Sequence, residues 1–253
     1  MDTKLAERRK GVSEDKARAR LKWVLGLLLV VLLGAGVYWL MRSPILSISE
    51  VTVQGAVESD PASVVDALGM GVGTPTRDVD TGAITRGVEE DPWVADARVS
   101  VTWPGAIAID VVEHQPIAVV RTGAGWSSIA PSGALVEAVS SPGGDDAVVD
   151  IDAAPASVGD SSTDEEVVGA VAFIEALSPE RRAGATVAVA DGGLVAEVDG
   201  HPVRLGRPVD MDDKAVVLES LLDTGLEPGA SIDVIAPSRP AVTNPQPQVE
   251  PEE

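Results

Sequence analysis

Residues 91 to 120 read DPWVADARVSVTWPGAIAIDVVEHQPIAVV, and two runs of period two lie inside them. Ala97, Val99, Val101 and Trp103 form the first, and Ile107, Ile109 and Val111 the second. Alternation sends successive side chains to opposite faces of a strand, and Pro104-Gly105 between the runs is turn chemistry. The spacing therefore predicts a β-hairpin with one apolar face. Trp93 and Trp103 are expected as large plugs that close this face.

A lone hairpin cannot bury an apolar face, so cover must come from its neighbours. Upstream, the run from Ile48 alternates, with Val51 and Val53 on one side, until Gly55 ends it. Asp60-Pro61 then supplies an N-cap and a first-turn proline for a short helix carrying Val64, Val65 and Leu68. Asp78 or Asp80 opens a second helix whose inner side carries Val79, Ala83, Ile84 and Val88, with Asp91-Pro92 closing it. Strand, helix, helix, strand, strand is the order of a two-layer α+β unit.

Further upstream, Trp23 to Met41 is nineteen residues without a charge, WVLGLLLVVLLGAGVYWLM. As a helix it is long enough to span about 30 Å of hydrocarbon, and Trp23, Tyr38 and Trp39 stand where aromatic rings favour the headgroup level. A cleaved signal peptide has a shorter apolar region and a small-residue cleavage site, whereas this run ends in Tyr-Trp-Leu-Met. We read it as an uncleaved anchor in the lipid bilayer. Residues 1 to 22 carry eight Lys or Arg against four acids, and the chain from Arg42 onward carries eleven against thirty-six. The basic flank is expected to stay in the cytoplasm, which puts the acidic body outside the cell. A body of net charge −25 does not bind nucleic acid by neutralising phosphates. With no cysteine it must also hold itself together by core burial rather than disulfides.

Beyond Gln115 the pattern gives strands at Ile117 to Arg121, Trp126 to Ile129 and Leu135 to Val139. A helix follows, opened by a capping box at Ser162-Thr163-Asp164-Glu165 and carrying Val167, Val171, Ile174 and Leu177. Thr186 to Ala190, Leu194 to Val198 and Pro202 to Leu205 read as three more strands. A last helix starts near Asp210, and a last strand, Ser231 to Ile235, alternates inward Ile232 and Val234 with outward Ser231, Asp233 and Ile235. Residues 240 to 253, PAVTNPQPQVEPEE, have too little apolar surface to fold and read as a disordered tail.

Residues 91 to 120 resemble the pattern P-W-V-x-x-A-x-V-x-x-x-W-P-x-x-L-x-I-x-V-x-E-x-x-P-x-A of the bacterial division family FtsQ, also called DivIB, with Ile107 in place of the usual Leu and His114 in place of the common Arg. Val203 to Gly206, Lys214 and Ile232 to Pro237 are similar to the family's V-x-L-G turn, Lys-bearing helix and I-D-V-x-x-P strand. The resemblance implies an α+β chain: a cytoplasmic tail over 1–22, a transmembrane helix over 23–41, a POTRA domain over 44–115, a mainly β domain with two helices over 116–239 and a tail over 240–253. It also implies a divisome scaffold at the septum, with partners of FtsB and FtsL type and, behind them, the septal peptidoglycan synthase.

Catalytic groups are sparse. His114 and His201 fall in different predicted domains and are expected as exposed turn residues. Asp145-Asp146, Asp164-Glu165-Glu166 and Asp212-Asp213 lack the ligand spacing of a calcium loop. No G-x-S-x-G elbow occurs, and the glycines at 69, 71 and 73 lack the G-K-[ST] of a phosphate loop. We therefore expect no enzyme and no cofactor or metal, ahead of two alternatives, a membrane-anchored wall hydrolase and a POTRA-type transport or chaperone component. The expected working surface is a partner-binding edge strand, Ser231, Ile232, Asp233, Val234 and Ile235, open to β-augmentation.

Overall fold

The computed structural model describes residues 22–39, 46–123, 125–151 and 156–244. Residues 1–21 of the basic tail, Leu40 and Met41 of the expected span and the last nine residues lie outside them. The apolar run forms helix α1, Lys22–Trp39, 18 residues long and apolar enough to cross a membrane. The remaining described residues build two separate sheets, and the chain falls into two compact units.

The first sheet has three strands, β1 (Glu50–Gln54), β2 (Val94–Thr102) and β3 (Ala106–Glu113), in the order β1-β3-β2. Helices α2 (Pro61–Ala67) and α3 (Thr81–Glu89) stand between β1 and β2 in sequence. Asp80 caps α3, its carboxylate accepting from Ala83 N at 3.0 Å. Val65 of α2 and Ile84 and Val88 of α3 are buried, and so are Ile48, Val94 and, on the predicted apolar face of the hairpin, Ala97, Ile107, Ile109 and Val111.

The hairpin tip departs from expectation. Trp103 is 71% exposed and Trp93 only half-buried. Burial along β2 fades from Val94 and Ala97 to half-buried Val99 and Val101. Trp103 continues the alternation in register but has nothing over it, so it is not a core plug.

The second sheet has nine strands. They are β4 (Ala118–Thr122), β5 (Gly125–Ile129), β6 (Leu135–Val139), β7 (Val148–Asp150), β8 (Thr186–Ala190), β9 (Gly193–Val198), β10 (His201–Gly206), β11 (Ser231–Asp233) and β12 (Ala241–Thr243). Their order is β12-β11-β10-β9-β8-β7-β4-β5-β6. β7 pairs in parallel with both β4 and β8 and so joins the two halves. β10 and β11 are also parallel; the other neighbours are antiparallel.

Two long helices, α4 (Glu165–Ala176) and α6 (Met211–Leu222), pack on each other, with a short α5 (Pro179–Arg182) between them in sequence. The N-cap of α4 is Asp164, whose carboxylate accepts from Glu166 N and Val167 N, so the capping box read at Ser162 lies two residues too early. Val167, Ala170, Val171, Phe173 and Ile174 of α4, with Met211, Ala215 and Leu218 of α6, share one core with Val149, Val187, Leu205 and Ile232 of the sheet. Arg182 closes the other end of α4 by donating to the carbonyls of Ile174, Glu175 and Leu177.

Candidate functional site

Ser231–Asp233 is a strand, as expected, but not an edge. On one side it pairs in parallel with β10, Val203 opposite Ile232 and Arg204 opposite Asp233. On the other it pairs antiparallel with β12, Ser231 opposite Thr243, Ile232 opposite Val242 and Asp233 opposite Ala241. The expectation of a free edge is corrected by these three residues, taken from a stretch read as disordered tail. Ala241-Val242-Thr243 lies between Pro240 and Asn244-Pro245, and that proline-rich setting hides a strand only three residues long.

The five predicted residues serve different ends. Ile232 and Val234 are fully buried in the core. Ser231 and Asp233 are half-buried, and Ile235 is exposed. One carboxylate oxygen of Asp233 lies 3.3 Å from the Arg204 guanidinium, and the other accepts from Ile235 N at 3.0 Å. Asp233 thus holds its own strand against β10. Val234 N donates to Arg204 O at 3.0 Å and so faces β10. Alternation along a strand then turns the N–H of Asp233 and Ser231 toward β12. In the antiparallel β11–β12 pair, the same alternation turns the N–H and C=O of Val242 outward, away from β11. All three residues of β12 are exposed, and β12 and β6 are the terminal strands of the sheet.

The histidines have structural surroundings. His201 opens β10 and is buried, with Nδ1 3.0 Å from Ala230 O, so it is not an exposed turn residue. The strand begins at His201, one residue before the expected start at Pro202. His114 is half-buried, its backbone N donating to Trp93 O at 2.8 Å. The paired acids also have local roles. Asp146 accepts from Gly143 N within its loop, Asp164 caps α4, and Asp212 and Asp213 lie in the first turn of α6.

Glu113, at the end of β3, is a site that composition did not flag. Its carboxylate accepts from Val57 N, Glu58 N and Ser59 N at 2.8 to 3.1 Å and from Ser59 Oγ. Burial raises its pKa, but these hydrogen bonds outweigh burial and leave it below the ordinary value. A carboxylate with a depressed folded pKa adds stability that is present above its unfolded pKa, about 4.3, and lost as pH falls through the folded value. Glu113→Gln is expected to cost about 1 kcal/mol at neutral pH, since the donors remain partly open to water. Urea unfolding should show the gap close on acidification, and a gap that stays constant into acid would contradict the bound carboxylate.

Residues 46–114 match the family described as POTRA domain, FtsQ-type. The chain is 30% identical over 223 residues to the cell division protein FtsQ of Streptomyces bingchenggensis, covering 84% of this chain and 82% of that protein. It is 26% identical over 197 residues to the cell division protein FtsQ of Corynebacterium glutamicum, covering 77% and 85%. It is 31% identical over 226 residues to that of Mycolicibacterium smegmatis, covering 85% and 61%.

Proposed function

Because the chain belongs to the FtsQ family of bacterial cell-division proteins, we propose that it acts as a non-enzymatic scaffold of the division septum. Its basic tail lies in the cytoplasm, α1 holds it in the cell membrane, and the two sheets lie outside. Its partners are division proteins of FtsB and FtsL type, and through them it assembles or licenses the septal peptidoglycan synthase. The charge asymmetry about α1 supports the orientation, and the family supports the partner class.

The outward main chain of β12 carries the docking part of the proposal. A partner strand that adds there extends a sheet whose backing, from β11 to β7, is already paired and buried. Ser231–Ile235 then serves the site from behind, with Ile232 and Val234 anchoring β11 and Asp233 fixing it to Arg204.

Val242→Pro removes the outward donor and adds a ring at the edge, where proline is tolerated. Association with the extracytoplasmic segment of the FtsB-type partner should weaken about tenfold or more, ~1.4 kcal/mol or above. The melting transition should stay in place, and Val242→Thr, which keeps the N–H, should bind normally. Full binding by a folded Val242→Pro protein would refute docking on β12. If Asp233→Pro then abolished binding, the partner would instead replace β12 against β11.

A further inference from the structure

Three uncharged stretches meet at one end of the first sheet. Residues 46–49 lie between the loop 67–76 (ALGMGVGTPT) and the hairpin turn 102–106 (TWPGA), and none of the three carries a charge. Main-chain hydrogen bonds hold them together. Ile48 N donates to Thr74 O at 2.8 Å and Gly73 N to Ile48 O at 2.7 Å, while Ser49 N donates to Gly105 O at 2.7 Å. Thr76 Oγ1 bridges the set, 2.8 Å from Leu46 O and 3.0 Å from Pro104 O. Gly105 has no room for a side chain, since a Cβ there would sit 2.1 Å from Ser47 O.

This end buries Ile48 but leaves other apolar side chains open. Trp103 and Val72 are each 71% exposed, and Leu68 is 42% exposed. Asp66 beside Gly71 and the Arg77–Asp78 pair after Thr76 bring charge to the margin of this end, but the stretches that carry Trp103 and Val72 have none, and an open tryptophan among them asks for a water-poor neighbour.

The covalent chain says which one. Trp39 closes α1, and Leu46 is seven residues on. At no more than about 3.6 Å per residue, Leu46 lies within roughly 25 Å of the hydrocarbon boundary at full stretch. That bound keeps this end of the sheet nearer the bilayer than the rest of the chain, within reach of a headgroup layer about 5 to 8 Å thick. The end that carries Trp103 and Val72 is the end tethered to the membrane, on whichever side of the bilayer it sits. Tryptophan favours this interface, its ring meeting the acyl boundary and its N–H the water.

We infer that the Trp103-Pro104 turn and the Val72 loop form a second, peripheral membrane contact that seats the three-stranded sheet on the lipid surface beside α1. The surface lacks a basic patch, so it recognises the headgroup–acyl boundary and not anionic lipid. The inference rests on α1 spanning the bilayer and is independent of the partner site on β12.

The native chain has no cysteine, so a single label can be placed cleanly. The full chain with Val72→Cys, carrying an environment-sensitive fluorophore, is reconstituted into phosphatidylethanolamine vesicles containing phosphatidylglycerol. Blue-shifted emission is expected, with most of it lost when lipids spin-labelled near the headgroup are included. A label at Val57→Cys, 83% exposed beyond the far end of β1, should show aqueous emission and no quenching. Adding Trp103→Ser to the Val72→Cys chain should reverse much of the blue shift and the quenching without changing the melting point. Chains that leave the vesicles in an alkaline wash would overturn the span, and this inference with it. Chains that stay while the Val72 label emits as in water would overturn the inference alone. So would a dry Val72 label that lipid does not quench, which would mean a protein cover.

Discussion

Gly55→Ala is expected to destabilise the three-stranded unit by about 3 to 5 kcal/mol, enough to unfold a marginal domain at moderate temperature. Gly55 ends β1 with φ +82°, and a Cβ built there would lie 2.0 Å from Val111 O of β3. Alanine would meet two separate costs. The left-handed conformation costs a side-chain-bearing residue about 1 to 2 kcal/mol. The clash is with main chain, so relieving it means moving β1 against β3, the central strand of that sheet. Gly69→Ala separates the two, because Gly69 has φ +66° but nothing within 4 Å of its Cβ. Its loss should be about 1 kcal/mol, the conformational part alone. Urea unfolding of the full chain measures both, and equal losses would show that the Val111 carbonyl moves aside at little cost.

Lys214→Ala should cost about 3 kcal/mol. Lys214 is 1% exposed on the inner side of α6, where its Nζ donates to Arg207 O at 2.7 Å and lies 3.8 Å from Met211 Sδ. It thereby ties the segment that leaves β10 to the start of the helix. Alanine removes buried methylenes worth about 0.8 kcal/mol each and strands the Arg207 carbonyl. Lys214→Met restores the packing without the ammonium, and as buried charges are costly to hold it should recover most of the loss.

Burial lowers the Lys214 pKa against the attraction of Asp210. A pKa depressed on folding means the folded state binds the proton more weakly. The wild type therefore gains stability as pH rises from the folded pKa toward the unfolded value, and loses that gain as pH falls back through the folded pKa. Lys214→Met should lack this alkaline gain. If Lys214→Met melted as low as Lys214→Ala, the hydrogen bond to Arg207 and not the stem would be what matters.

Periodicity and turn chemistry made most of the fold legible. The hairpin, both helices over the first sheet and the strands from Thr186 to Gly206 follow from alternation, prolines and caps, which are local signals. What escaped was set at longer range. β7 is three residues after a glycine-aspartate loop, and it counts as a strand only because β4 and β8 flank it. Trp103 has the right parity for the core, but it falls in the turn just past the end of β2, and parity does not say where a strand's buried stretch ends. Asp199-Gly200-His201-Pro202 has the composition of a turn, yet the His201 ring reaches Ala230 across the fold. At the candidate site, the roles of Ile232 and Val234 were readable from alternation. The edge was not, because β12 is a strand through its pairing with β11 and not through its own composition.

The order of strands in the C-terminal half of the nine-stranded sheet also sets a timetable. From β8 through β9, β10 and β11 to β12, each strand lies beside the one that precedes it in the chain. This half can therefore zip in the direction of synthesis, each arrival finding a finished template, with few long loops to close. The joint at β7, parallel on both sides, pairs residues farther apart in the chain than the hairpins of this half do. β12 comes last of the described strands and needs β11 in place before it can pair. A docking surface on its outer side would come into existence only once β11 and the strands behind it have paired, so recruitment through it would select copies in which this half is finished.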